Sequence, residues 1–275
     1  MQFPGAITSR ENASYVIFGA PFDFSTTFIQ GSRFGPSQLR KFAAHFEDYD
    51  PRTKTSFSEL LVHDSGDIIP ESSSFTTYID YLEGFITDVV NDGITPILIG
   101  GEHTVNLAAL RALKPDTYVC LDAHLDLRET YQDNPWSHAT STLRALEIVD
   151  NAVIIGARSG CEEEWDQANK KNITVISPNE VQDWEPSFKG SVYFSIDIDA
   201  SDNSIAPGTG TPEPFGLSSK EMLRIVHMVS PYASGFDIVE VNDQDNGQAA
   251  ILGGKLLREF VHSHATSCPI LPKHI

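Results

Sequence analysis

Three short segments bring metal-binding residue types together. The tightest is VCLDAHLDLR, which offers Asp122, His124 and Asp126 at alternate positions. In extended backbone, residues i, i+2 and i+4 face the same way, so three donors fall within ~13 Å of chain, and closer if it curls. The second segment, VYFSIDIDASD, places Asp197 and Asp199 two apart after an apolar run. Two carboxylates on one face repel, and without a cation one is driven to stay protonated. The third, PILIGGEHTV, carries His103 just past Gly100-Gly101, a pair that lets the backbone turn tightly and keeps the approach clear of side chains. Carboxylate oxygen mixed with imidazole nitrogen suits Mn²⁺, Fe²⁺ or Zn²⁺. Six donors are too many for one tetrahedral ion but suit two ions that share carboxylates. Singly, each cluster reads as a polar loop or an ordinary loop histidine. Three such clusters after three apolar runs point to a metal centre.

Donors so placed need strands to hold them. Short β-branched runs recur at Tyr15–Gly19, Asp67–Ile69, Pro96–Ile99, Thr117–Leu121, Ala152–Ile155, Ile173–Ile176, Val192–Ile196 and Phe236–Val239. Several are apolar on both faces, as parallel strands covered by helices on both sides must be. Between them, Thr76–Asn91 repeats Ile79, Leu82, Ile86 and Val89 at helical spacing, with Gly93 as a stop. Ser218 and Glu221 form a capping box ahead of EMLRIVHMV. The alternation predicts an α/β fold of three layers, α/β/α, on a mainly parallel sheet. In such sheets ligands sit beyond the carboxyl ends of the strands, where all three clusters fall.

The remaining composition narrows the function. A length of 275 residues without an internal repeat or linker is read as one domain, 1–275. A formal net charge of −19 argues against nucleic acid as a partner and favours a cationic substrate. The chain has no apolar stretch long enough for a membrane helix, and its first residues lack a signal-peptide pattern. Cys120, Cys161 and Cys268 are odd in number and lack CxxC spacing, which predicts a reducing, cytoplasmic setting without disulfides. Cys120, within TYVCL, reads as a small buried hydrophobe.

Taken together, these segments resemble the ureohydrolase family of arginases and agmatinases. The match runs from FGAPFDFSTTFIQGSRFGPSQLR through HDSGD, GGEHT, DAHLD and SHA to SIDIDASDNSIAPGTGTPEPFGLS and FDIVEVND. The resemblance implies an eight-stranded α/β/α fold and two Mn²⁺ that activate a hydroxide to attack a guanidinium carbon, releasing urea and an amine. It assigns one ion to His103, Asp122, Asp126 and Asp197. It assigns the other to His124, Asp122, Asp197 and Asp199, with Asp122 and Asp197 bridging. Asp126 would orient the hydroxide, Glu240 would receive the guanidinium group, His138 would relay a proton, and Thr211 would line the pocket. A homo-oligomer, trimer or hexamer, is implied too.

The segment LRETYQDNPWSHATS lacks the Asn/Thr/Ser pattern with which arginases hold an amino acid, and it resembles agmatinase-type members. Agmatine, hydrolysed to putrescine in polyamine synthesis, is therefore the expected substrate, ahead of aminopropylagmatine, guanidinobutyrate and arginine. Glu129, Asp133 and Glu162 to Glu164 are candidates for its distal ammonium, and Arg128 is the one nearby cation. Two other readings differ in class: a single-zinc deacetylase-like amidohydrolase, and a non-catalytic metal-stabilised scaffold.

Overall fold

A computed structural model describes residues 1–69, 74–171 and 173–267. Cys268 lies outside the described residues. The strands are β1 (Tyr15–Ala20), β2 (Tyr49–Asp50), β3 (Thr55–Ser56), β4 (Val62–Asp67), β5 (Thr95–Gly100), β6 (Thr117–Leu121), β7 (Asn151–Ile155), β8 (Thr174–Ile176), β9 (Val192–Asp197) and β10 (Ala233–Val239). The α-helices are α1 (Gly35–Phe42), α2 (Phe75–Asn91), α3 (Asn106–Leu113), α4 (Ser141–Ala145), α5 (Glu162–Lys170), α6 (Ser219–Val229) and α7 (Gln248–Ser267).

Eight strands form one sheet in the order β4-β1-β5-β10-β9-β6-β7-β8, and every pairing in it is parallel. Strands β1, β4 and β5 make one flank and β6, β7 and β8 the other, while the last two fill the centre. Successive side chains of each central strand enter opposite cores. Ile97 and Ile99 pack with Phe194, Phe236 and residues of α1, α6 and α7. Leu98 packs with Tyr118, Tyr193 and residues of α2 and α3 on the other side. That is the predicted three-layer α/β/α architecture, with strands buried on both faces. The rings of Phe236 and Phe260 stack at 4.2 Å, tying α7 to the sheet centre. No described helix is long and apolar enough to cross a membrane.

Helix α2 begins one residue before the predicted range, and Gly93 beyond it has φ +74°, the left-handed stop. The Ser218–Glu221 box caps α6 as expected. Strand β4 differs: Val62–Asp67 replaces the predicted Asp67–Ile69. Its sequence VHDSGD carries charge that hides a strand from hydrophobic pattern. The structure offsets that charge with buried Arg40, whose Nε and Nη2 reach Asp64 at 2.8 and 2.9 Å. The two-residue pairing of β2 with β3 leaves too short a pattern to read.

Candidate metal centre and its pocket

Because the sheet is parallel, β5, β6, β9 and β10 end at one edge, and each is followed by a candidate residue. Gly101 follows β5 where the main chain of Phe22 passes: a Cβ there would lie 2.0 Å from the Phe22 carbonyl oxygen. Close approach, with no unusual φ, is what requires glycine. The chain then enters a short 3₁₀ turn whose first residue is His103.

His103 is buried, and its two nitrogens have different surroundings. Nε2 lies 3.0 Å from the Tyr118 hydroxyl and 3.2 Å from Ser195 Oγ. Ser195 gives its own proton to Asp237 Oδ1 at 2.6 Å, so towards the ring it can only accept. A hydrogen on Nε2 suits both oxygens, since Tyr118 also accepts from Asn106 Nδ2 at 2.9 Å, and that tautomer leaves Nδ1 as a lone pair for a cation. That Nδ1 makes no hydrogen bond. It faces Asp122, Asp126 and Asp197, whose Oδ2 atoms lie 3.2, 3.4 and 3.4 Å away. Donors on metal bonds of about 2.1 Å stand about 3 Å from one another. A buried, orphaned nitrogen among three carboxylates at this spacing is the surrounding a divalent cation needs.

A second group adjoins the first. His124 Nδ1 lies 3.0 Å from Asp199 Oδ2 and 3.7 Å from Asp122 Oδ1, and these three residues could hold an ion. Asp122 thus turns one oxygen to each histidine. Asp197 contributes Oδ2 to the first group, while its Oδ1 accepts the Asp199 N–H at 2.9 Å. The DAHLD segment is not the extended strand its spacing predicts. β6 stops at Leu121, and Asp126 adopts φ +52°, which curls the chain so that Asp122 and Asp126 both reach His103.

The charges answer one another. Burial works against the charged ring of His124, yet Asp199 and Asp122 raise it to about 12. Burial, then Asp199 and Asp122, push Asp197 well above the ordinary carboxylate range. This is the conflict predicted for two acids on one face. Cys120 lies 3.6 Å from His103 Nε2, on the ring's far side, and burial pushes its thiol up to about 12. Cys120 also clusters with His103 and Asp122 closely enough to hold an ion, but it stands on the Nε2 side of the ring; its full burial fits the small-hydrophobe reading.

The centre opens into a cavity of about 470 Å³ lined by His124, Asp126, His138, Thr211, Glu213 and Glu240, among others. Glu240 follows β10 at φ +60°, another non-glycine residue held in the left-handed region. Its N–H donates to the Gly101 carbonyl at 2.8 Å, and its Oε1 accepts the His103 N–H at 2.8 Å. Burial, then neighbouring Glu102, push its carboxyl up to about 8. All nine sequence-predicted site residues therefore gather at one strand edge.

A model of the arginase family matches residues 13–262. The chain belongs to the arginase family. This arginase-family chain is 36% identical over 267 residues to N(1)-aminopropylagmatine ureohydrolase of Thermococcus kodakarensis, covering 94% of this chain and 92% of that one. It is 34% identical to the agmatinase of Bacillus subtilis, over 91% of this chain and 92% of the relative. The agmatine ureohydrolase of Thermoplasma volcanium superposes with a TM-score of 0.90 at 34% identity, covering 96% and 94% of the two chains.

Within the arginase-family pocket, the distal acids expected from sequence are mostly misplaced. Glu129, Asp133, Glu162 and Glu163 are exposed and do not line the cavity. Glu164 does, but it accepts N–H groups from Leu127 and Cys161 and pairs with Arg128 at 3.3 Å. Sequence reasoning missed Glu213, which lines the cavity, accepts from Ser159 Oγ at 2.9 Å, and pairs with no described lysine or arginine. It also missed Ser195 and Asp237. An acid inside the buried strand GFDIV was the available signal.

Proposed function

We propose that this protein hydrolyses a guanidino group to urea and an amine, with agmatine to putrescine as the preferred reaction. Two Mn²⁺ would be held by His103, Asp122, Asp126 and Asp197, and by His124, Asp122, Asp197 and Asp199. The carrying observation is that two histidine nitrogens meet separate carboxylate groups joined through Asp122, beside a cavity walled by Glu240. A single-zinc amidohydrolase would leave one of those groups without purpose.

Bound divalent cations supply acidified water near neutral pH and offset developing negative charge. The protein's own residues do the rest. Glu240 has one oxygen anchored on the His103 N–H and presents the other to a guanidinium, whose positive charge favours the carboxylate form that burial disfavours. Thr211 lines the same wall. Asp126, steadied by Ser141 Oγ at 3.0 Å, is an acceptor for the attacking water's hydrogen. His138 is held neutral: burial lowers it to about 4. Its Nδ1 faces Ser25 and Ser137, which leaves Nε2 to take a proton and return it to the departing amine nitrogen. Glu213 is placed to receive the distal ammonium.

A longer substrate, aminopropylagmatine, is a second reading because one relative at 36% identity carries that name. A homo-oligomer, trimer or hexamer, and a cytoplasmic setting, consistent with the free thiols Cys120 and Cys161, complete the proposal. The test is urea release from agmatine, aminopropylagmatine, guanidinobutyrate and arginine, with added Mn²⁺ and after chelation, beside elemental analysis. Metal-dependent urea from agmatine with two ions per chain is expected. One zinc per chain with deacetylation, or no urea from any of the four, would overturn the reading.

A further inference from the structure

Behind His138, half-buried Ser25 links the ring to the fully buried Glu102. Ser25, on the loop after β1, donates its N–H to Glu102 Oε2 at 2.7 Å and its hydroxyl to Glu102 Oε1 at 2.9 Å. Thr104 Oγ1 donates to the same carboxylate at 2.5 Å. Glu102 is fully buried, and as a carboxylate it accepts from the Ser25 N–H and from both hydroxyls. Ser25 has only one hydroxyl hydrogen, and Glu102 takes it. The Ser25 oxygen is then left to accept, and it faces two groups of His138: the main-chain N–H at 2.9 Å and ring Nδ1 at 3.3 Å.

We infer that Glu102 and Ser25 are positioning residues for His138, fixing its neutral ring with hydrogen on Nδ1 and the Nε2 lone pair towards the cavity. The inference rests on the proposed role of His138 for its catalytic consequence, but not for the tautomer itself. The same logic operates at His103, where Asp237 takes the Ser195 proton and Ser195 must accept from Nε2. Two carboxylate–serine–histidine relays thus present opposite ring nitrogens: Nδ1 of His103 to the cation position, and Nε2 of His138 to the substrate. The competitor is Ser137 Oγ, also 3.3 Å from His138 Nδ1, which could donate there and invert the tautomer.

Nitrogen-15 NMR of histidine-labelled protein, loaded with diamagnetic Mg²⁺ or Zn²⁺, separates these outcomes. The His138 signals are those lost in His138→Asn. At pH 7 the wild-type ring should bear hydrogen on Nδ1. Ser25→Ala should move it to Nε2, and Ser25→Thr should restore it, while Ser137→Ala should leave it in place. With Mn²⁺ and agmatine, Ser25→Ala should lower kcat on the order of tenfold to a hundredfold, with KM within about twofold and metal content unchanged. Hydrogen on Nε2 in the wild type, or an unchanged tautomer in Ser25→Ala, overturns the inference. The expected spectra without urea release would overturn the reaction and leave the relay standing.

Discussion

Arg158 donates through Nη2 to the main-chain carbonyl of Asp199 at 2.9 Å. The same guanidinium reaches the carbonyls of Gly156, Ala200, Ser201, Glu213 and Pro214 and, among the described residues, pairs with no carboxylate. One planar fork therefore holds both ends of the loop that runs from Asp199 to Glu213. Lysine offers a single point of charge and cannot span six acceptors. We expect Arg158→Lys to lower stability on the order of 2–4 kcal/mol and metal content towards one ion per chain. Denaturant unfolding and elemental analysis read the two effects. A variant that keeps both ions and full stability would remove Arg158 from the site.

Arg158 also shows where sequence reading stops. The strand ends and their donors were legible because apolar runs followed by Asp and His stand out in a linear pattern. Arg158 and Glu102 were in view as letters, but a carbonyl-binding guanidinium and a serine-relayed carboxylate have no spacing signature. Their partners lie about 40 and 77 residues away, respectively. Strand β4 escaped for a related reason: the polarity of Asp64 is balanced only by Arg40 on another element.

The proposed two-ion arrangement makes Asp122 unlike Asp199. Asp122 faces both histidines, whereas Asp199 faces His124. We expect Asp122→Ala to abolish urea release and remove both ions, while Asp199→Ala keeps one ion per chain. Asp197→Ala is expected to follow Asp122→Ala if it bridges. Elemental analysis decides this, and equal metal loss in all three would leave the shared-ligand arrangement unsupported.

Stability should depend on pH through a cluster remote from the pocket. Burial works against the charge of Glu259, but His227 at 2.9 Å, then Lys255 and Arg52, hold its carboxyl down at about 2. A depressed folded-state value contributes stability that is present above the ordinary 4.5 and lost as pH falls towards 2. We expect Glu259→Gln to cost on the order of 1–3 kcal/mol at pH 7. The gap to wild type should close between about pH 4.5 and 2. Urea unfolding across that range measures it, and a gap independent of pH would mean that packing, not charge, is what Glu259 contributes.

Selectivity turns on two acids and one arginine at the cavity wall. Agmatine and arginine differ by one carboxylate, and Arg128 lines the cavity where that group could seek a partner. Arg128 is already engaged: its Nε lies 3.3 Å from Glu164, and its guanidinium stacks over Tyr131 at 5.1 Å. Drawing Arg128 to a substrate carboxylate strands Glu164, and leaving it in place strands the substrate. Either way one charge loses its ionic partner; because Arg128 is partly exposed and Glu164 keeps two main-chain N–H donors, the cost is on the order of 2–3 kcal/mol. Each 1.4 kcal/mol is about tenfold in specificity, so agmatine should exceed arginine in kcat/KM on the order of a hundredfold. Glu213→Gln should lower kcat/KM for agmatine about tenfold, mainly through KM, by removing the acid proposed to receive its ammonium. Glu164→Gln should free Arg128 and shift the ratio towards arginine. Steady-state urea release for wild type and both variants measures all three, and comparable wild-type values for the two substrates would show that Arg128 is available to the pocket after all.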